Sequence, residues 1–370
     1  MTFCIITHVP HVEKNGQFYA YSPYVNEMNI WLQFADKVII VAPKSDFELN
    51  SIHASYQHAT IQFVAIEKFH TLSFAALLNS IIAIPINCWR IFKAMQQANH
   101  IHLRCPGNIG LLGSCVQIAF PKKKKTAKYA GNWNPQAKQP LSYRFQKWLL
   151  NNTFLTKNMQ VLVYGKWSNQ SKNIKPFFTA TYNESDKIAI EARKLTEPLK
   201  FIFVGTLAIG KQPLYAIQLV QLLHQKGFNV KLAIYGEGVE KEVLQSYIND
   251  TNANEFVHLE GNITKQIMQL KYQESHFLLL PSKSEGWPKV VAEAMFWGCL
   301  PVVTPVSCVP FILDYGKRGV LLNENVEENV MQIQNLCQNQ QVYNEKVTAA
   351  IQWSRQFTTD VFESEIKKMM

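Results

Sequence analysis

Ser282-Lys283-Ser284-Glu285-Gly286-Trp287-Pro288-Lys289-Val290-Val291-Ala292-Glu293-Ala294-Met295 is the stretch that decides how this chain is read. Pro288 suits the first turn of a helix, where its missing N–H is not needed. Val290, Val291, Ala294 and Met295 then recur at helical spacing. Glu285 belongs to the loop at the mouth of that helix, and Glu293 lies more than a turn inside it. Eight helical residues rise about 12 Å. Paired acids of glycosidases face each other at only ~5–9.5 Å, so the spacing suits that chemistry poorly. It fits one long ligand held at two points, with its negative centre at the helix N-terminus. A nucleotide-sugar has that form.

Around this stretch, short β-branched runs alternate with helix-length segments. The expected strands of the first half are residues 3–7, 37–42, 61–66, 100–104, 127–130 and 160–163. Those of the second half are residues 200–204, 230–235, 256–259, 276–280, 300–303 and 319–322. Such alternation predicts an α/β fold with parallel sheets covered by helices. The polar segment at Asn183-Glu184-Ser185-Asp186 divides two Rossmann-like sets. The expected organisation is a basic acceptor-binding domain at 1–182, a linker at 183–198, a donor-binding domain at 199–350 and a C-terminal helix at 351–370 packing back on the first domain. Open parallel sheets bind ligands beyond the carboxyl ends of their strands, so two such sheets facing each other create a cleft.

With 370 residues and 47% apolar content, the chain can build large cores. Seven scattered cysteines without a C-x-x-C pair read as reduced thiols of a cytosolic protein, not as metal ligands. The opening residues lack the basic and apolar regions of a secretory signal. Residues 1–197 carry 22 Lys+Arg against 10 Asp+Glu, whereas residues 198–370 carry 15 against 17. No acidic residue lies between Glu67 and Glu184, although sixteen basic ones do, Lys122 to Lys125 among them. That asymmetry predicts an anionic partner for the first half. Residues 71–89 (TLSFAALLNSIIAIPINCW) are uncharged, but Pro85 and several polar residues interrupt them. We read them as a buried or membrane-facing helix, not a span. With the basic residues, they predict a cytoplasmic protein peripheral on the inner face of the cell membrane. A purely nucleic-acid-binding or membrane-binding protein is the non-enzymatic alternative, and no nucleic-acid motif supports it.

Three expected strand ends in the second half carry turn and charge signals. One strand runs into Gly205-Thr206-Leu207 and then Gly210-Lys211, a second into Gly236-Glu237-Gly238, a third into Ser282 to Gly286. Glycine lets backbone amides approach a phosphate, a helix N-terminus adds positive potential, and Lys211 adds a full charge.

With these motifs the chain resembles the family 4 (group 1) nucleotide-sugar glycosyltransferases of the GT-B fold. The landmarks are Phe203 to Leu207 with Lys211, Tyr235 to Gly238, and the E-x7-E element from Glu285 to Glu293. The resemblance implies that Glu285 meets hydroxyls of the donor sugar and Glu293 the ribose. It also implies that Gly286, Trp287, Pro288 and Lys289 hold sugar and diphosphate, with Lys211 neutralising the leaving group. Glu285 and Lys211 are thus the catalytic candidates, and Gly205, Thr206, Gly236, Glu237 and Gly238 complete the donor site. A UDP- or GDP-type donor, retention of configuration, no cofactor and no metal are further implications, as is a glycan or lipid-linked acceptor in surface-polysaccharide assembly. Thr206 stands where the family usually has Arg. Acceptor-side candidates are Gly16, His8, Arg104 and Asn132, with His102 at another strand end. Trp133, Trp148 and Trp167 read as packing residues, with stacking on a sugar or lipid as the alternative. A nucleotide-sugar epimerase or a phosphorylase is the alternative reaction on the same fold.

Overall fold

The computed structural model describes residues 1–50, 52–67 and 74–370, with backbone only for 74–82. It divides into two compact units, 1–178 with 362–370, and 179–361. In the first unit the strands are β1 (Thr2–Ile6), β2 (Val12–Lys14), β3 (Gln17–Tyr21), β4 (Lys37–Pro43) and β5 (His53–Ser55). They continue with β6 (Ile61–Ile66), β7 (His100–Cys105), β8 (Lys124–Tyr129), β9 (Met159–Tyr164) and β10 (Ile174–Phe177). Its helices are α1 (Ser22–Leu32), α2 (Phe74–Gln97), α3 (Asn108–Val116) and α4 (Leu141–Asn151). Seven strands form a parallel sheet in the order β10-β9-β8-β7-β1-β4-β6. Residues such as Cys4, Ile39, Ile101 and Val161 are fully buried in it, which explains their unbroken apolar runs.

The second unit holds β11 (Leu199–Val204), β12 (Val230–Tyr235), β13 (Val257–Gly261), β14 (Phe277–Leu280), β15 (Leu300–Val303) and β16 (Val320–Leu321). Its helices are α5 (Pro213–Gln225), α6 (Lys241–Asp250), α7 (Lys265–Glu274), α8 (Lys289–Phe296) and α9 (Val309–Ile312). Then follow α10 (Val326–Cys337) and α11 (Gln340–Ser354). The last helix, α12 (Thr359–Met369), belongs to the first unit from residue 362 onward. The parallel strand order is β13-β12-β11-β14-β15-β16, so the order reverses between β11 and β14. This switch point is where an open α/β sheet leaves a crevice for a ligand.

Four short strands escape the sequence reading. β2, β3 and β5 form a separate antiparallel sheet, whose first hairpin turns at Asn15-Gly16 with both residues at positive φ. Asn-Gly is the standard signal for such a two-residue turn. The fourth, β10, extends the large sheet beyond β9. Residues 183–198, expected as a linker, lie along the second unit. The Arg193 guanidinium there donates to the carbonyls of Ser275, Tyr272 and Gly298 at 2.7–3.0 Å.

The basic run is also not a uniform solvated patch. Lys123 caps the end of α2 through the carbonyls of Met95, Gln96 and Ala98. Lys125 is buried in β8 and donates to the Phe120 carbonyl at 3.0 Å. Lys128 and Arg104 converge on the buried Glu27, at 3.1 and 3.4 Å. Residues 71–73 of the uncharged stretch lie outside the described residues, and α2 begins at Phe74. Among the described residues, no helix is long and apolar enough to cross a membrane.

Three histidines are enclosed in the first unit. His11 stacks on Tyr56, and His100 and His102 both reach the Thr126 hydroxyl at 2.9 Å. Burial lowers all three pKa values, to about 4 for His11, about 3 for His100, and well below the ordinary range for His102. The unfolded chain takes up these protons as pH falls through about 6.5, and the folded chain does not. Their contribution to stability is therefore complete above that pH and is lost as pH falls toward the folded values. The melting temperature is expected to drop between about pH 7 and about pH 5, before most carboxylates titrate. A flat melting profile over that interval would show that these rings are not enclosed as described.

Candidate active site

β12, β11, β14 and β15 are neighbours in the second sheet, and the loops after them are tied together by backbone bonds. Leu207 N donates to Glu237 O, and Gly205 N to Tyr235 O, both at 3.0 Å. Lys283 N donates to Gly210 O at 2.9 Å, joining the loops on the two sides of the switch point. A Cβ on Gly236 would stand 1.9 Å from Gly205 O, and one on Gly238 would stand 2.2 Å from Leu207 O. Gly236 also has φ 146°, a backbone few other residues adopt. These two glycines therefore let neighbouring loops touch, a packing role more immediate than phosphate approach.

Over this platform, Lys211 Nζ lies 2.6 Å from Glu285 Oε1. Glu285 is 9% exposed, and Lys211 remains half-buried at the loop surface. The two catalytic candidates, 74 residues apart in sequence, are thus brought into contact across the strand-order reversal. Gln212 takes the left-handed conformation and Pro213 begins α5, so the chain turns sharply just after Lys211. The sequence places Pro288 inside the helix; it is instead the N-cap residue, and α8 starts at Lys289. The Gly286 carbonyl accepts from Cys308 Sγ at 3.1 Å, while Ser282 O accepts from Thr304 Oγ1. The loop after β15 holds the Glu285 loop through these bonds. Trp287 packs its ring near Trp353 and Phe357, with centroids 6.2 and 5.9 Å away.

Glu293 projects from α8 and accepts from Thr181 Oγ1 at 2.6 Å and Tyr272 OH at 3.3 Å. Burial first, and the Glu293 carboxylate second, raise the pKa of both Tyr272 and Tyr182, so both phenols stay protonated. Neither Thr181 nor Tyr272 is identified from the sequence, and no local pattern marks them. Lys289 and Glu293 share a crevice of only ≈10 Å³. Thr206 is exposed at its loop, and Glu237 pairs with Lys241 at 2.8 Å. Cavities of ≈440 Å³ beside Lys122 and ≈660 Å³ beside Lys346 contain none of these residues, so cavity size does not locate the site.

The acceptor-side candidates separate. His8 follows β1, Arg104 lies in β7 and Asn132 follows β8, three adjacent strands of the first sheet. His8 sits against Gly107, where an added Cβ would stand 3.2 Å from its Nδ1. His8 reaches solvent, yet partial burial first and the Arg104 charge second lower its pKa. Arg104 is engaged with Glu27, and the Asn132 carboxamide accepts from Asn134 N at 2.8 Å. Gly16 does not join them, because it forms the tip of the β2–β3 hairpin. His102, expected at a strand end, is fully buried. Trp133 and Trp167 are fixed by hydrogen bonds to Gln170 and Tyr164, whereas Trp148 is exposed. Among the described residues, no cluster of metal-ligating side chains occurs.

Residues 184–353 match the family model of the group 1 glycosyl transferases, and all the second-half landmarks lie inside that span. An uncharacterized glycosyltransferase of Haemophilus influenzae is 30% identical over 133 residues, 35% of this chain and 36% of that protein. The alpha-monoglucosyldiacylglycerol synthase of Acholeplasma laidlawii is 24% identical over 174 residues, 46% of this chain and 43% of that protein. These matches thus span less than half the length of either relative. Among solved structures, Anabaena HepE in complex with UDP and glucose superposes with TM-score 0.68 at 13% identity, over 100% of this chain and 98% of that one. The likeness establishes the GT-B fold expected from the sequence, with its two parallel-sheet α/β domains.

The loop packing predicts a contrast between glycines. Gly236→Ala forces a side chain into the Gly205 carbonyl and is expected to cost roughly 1–3 kcal/mol in denaturant unfolding. Gly210→Ala, with nothing within 4 Å of the added atom, is expected to leave stability nearly unchanged. Equal effects would argue against the described contact of the two loops.

Proposed function

We propose that this chain transfers a sugar from a UDP- or GDP-type nucleotide-sugar to a glycan or lipid-linked acceptor, retaining configuration and using no metal. The observation that carries this reading is the Lys211–Glu285 contact at the switch point of the second sheet. A cation and a carboxylate held together at the start of a helix suit a ligand that is anionic at one end and hydroxyl-rich at the other. The match to group 1 glycosyl transferases supports the reaction class. The UDP and glucose named with HepE support a UDP-type donor. The name of the Acholeplasma relative supports a lipid acceptor. Surface-polysaccharide assembly on the cytoplasmic face of the membrane is the pathway most consistent with the basic first half.

In this mechanism the bond from the sugar's anomeric carbon to the diphosphate breaks, and the diphosphate keeps the electron pair. Lys211 turns from Glu285 to the growing negative charge, joined by amides at the start of α8. Those amides are fixed by the fold and act where charge develops without reorganisation. The Lys211 ammonium is released to the diphosphate as the sugar hydroxyls take its place on Glu285. Glu285, freed of Lys211, accepts hydrogen bonds from hydroxyls of the donor sugar. The acceptor hydroxyl attacks on the face the diphosphate leaves and passes its proton to the departing phosphate oxygen. Glu293 holds the ribose hydroxyls. His8 and Asn132 serve the acceptor side, with Arg104 behind them held by Glu27. No protein nucleophile takes part.

The two partners should fail differently. Lys211→Ala is expected to weaken UDP or GDP binding and to lower turnover by about 10²–10³, the cost of an oxyanion donor. Glu285→Ala should lower turnover comparably while nucleotide binding persists, because the lysine is left free for the diphosphate. Steady-state kinetics after a thermal-shift screen of nucleotide-sugars measures both. Near-normal transfer by both variants would remove the site assignment.

A further inference from the structure

α4 carries large apolar residues on its solvent side as well as toward the core, which a helix that only covers a core does not need. Its inner face carries Leu149 and Leu150 together with a fully buried glutamine, Gln146, whose Nε2 reaches Cys105 Sγ at 3.1 Å. Its outer face carries Leu141, Phe145 and Trp148, which are 78%, 48% and 56% exposed. These follow an i, i+4, i+7 course and so form one stripe. The Phe145 and Trp148 rings stack at 5.6 Å, giving the stripe a flat aromatic centre. Phe154, just beyond the helix, is 75% exposed, with Lys157 Nζ 5.0 Å above its ring. Arg144 is exposed on the same stripe, three residues from Leu141.

α3 lies between α2 and α4 and packs on both. The neighbouring α2 repeats the pattern with an exposed Trp89 under Lys93, whose Nζ is 4.7 Å from the ring centroid. Large apolar residues interleaved with Arg and Lys are the composition of helices that lie in a membrane interface, with aromatic rings at headgroup depth.

We infer that the outer face of α4 docks on a bilayer containing anionic lipids. The charge of the segment selects this occupant. Residues 68–183 contain sixteen Lys+Arg and no Asp or Glu, so the cations that edge the stripe have no acid within the segment to answer them and attract acidic headgroups. Not all sixteen face outward, since Lys123, Lys125, Lys128 and Arg104 are held internally. Arg144 and Lys157 are exposed and adjoin the aromatic stripe. Each such cation near an anionic leaflet adds attraction, and each buried ring adds apolar transfer, so neither class of residue suffices alone. The proposal deepens the acceptor side of the function above by naming the surface through which a membrane-held acceptor is met. Its readout is binding rather than transfer, so either reading can fail without the other.

The test is co-flotation of the full chain with phosphatidylcholine vesicles, with and without phosphatidylglycerol, alongside tryptophan emission. Binding and a blue shift are expected only with the anionic vesicles. Phe145→Ser with Trp148→Ser should weaken vesicle binding about tenfold or more while melting temperature and nucleotide binding are retained. Arg144→Glu with Lys157→Glu should abolish the preference for anionic vesicles, with the fold again intact. Absence of binding by the unaltered chain, or equal binding by all variants, would overturn the inference. So would a dimer, seen in sedimentation velocity, that the serine pair disrupts while vesicles remain unbound.

Discussion

The second unit is organised around one short ion pair, Lys211 to Glu285, made across the point where strand order reverses. A half-buried ion pair of this kind adds little net stability, because the cost of taking the Glu285 carboxylate out of water offsets the attraction. Its meaning lies in what must be true for it to form. β11 and β14 must be hydrogen-bonded neighbours although two strands and three helices separate them in the chain. The Gly210 carbonyl must meet Lys283 N, and the Gly286 carbonyl must be fixed by the loop after β15. The pair is the outcome of sheet topology, and it concentrates opposite charges where a parallel sheet leaves its crevice.

Glycines around this pair show why a motif can be sound and its first explanation incomplete. Gly236 and Gly238 stand where a phosphate-binding turn would have them. In the fold their missing side chains are used by the carbonyls of Gly205 and Leu207. A loop that packs backbone against backbone is rigid, and rigidity is what a charge-stabilising site requires. The packing role therefore underlies any binding role and does not compete with it. Glu293 is comparable. Thr181 and Tyr272 orient its carboxylate within the fold itself, so its position needs no ligand to set it.

Much of this is legible because parallel strands are buried on both faces and read as unbroken apolar runs. All twelve expected strands have counterparts, as Val38–Val41 and Phe277–Leu280 illustrate. The strands that escape are short or polar. β2 is Val-Glu-Lys and β5 is His-Ala-Ser, neither with an apolar alternation to detect. The Asn15-Gly16 turn is visible in the sequence, yet there Gly16 reads as part of a ligand loop. Lys211 and Glu285 can be found because each has a local signal, a glycine turn before a helix and a Gly-Trp-Pro helix mouth. Thr181 carries none, since its role exists only through a contact 112 residues away. His102 misleads because a strand position fixes which face a side chain takes but not how much protein lies over it. Trp31 and Phe3 cover it here.

Charge shows the same division between what composition states and what folding does with it. The acid-free span from 68 to 183 suggests a surface of one sign, but its charges have unlike fates. Lys128 and Arg104 answer Glu27, an acid supplied by α1 far earlier in the chain. Lys123 answers the carbonyl end of α2, where a cation also meets the negative pole of the helix dipole. Burial lowers the pKa of Lys125 to about 8, and its amine is turned inward to the Phe120 carbonyl. What remains outside is sparser than the sequence implies, and part of it, Lys93, Arg144 and Lys157, borders apolar side chains that the core did not take. A solvated basic face would be ringed by polar residues. One edged by Phe145, Trp148 and Phe154 has a reason to leave water.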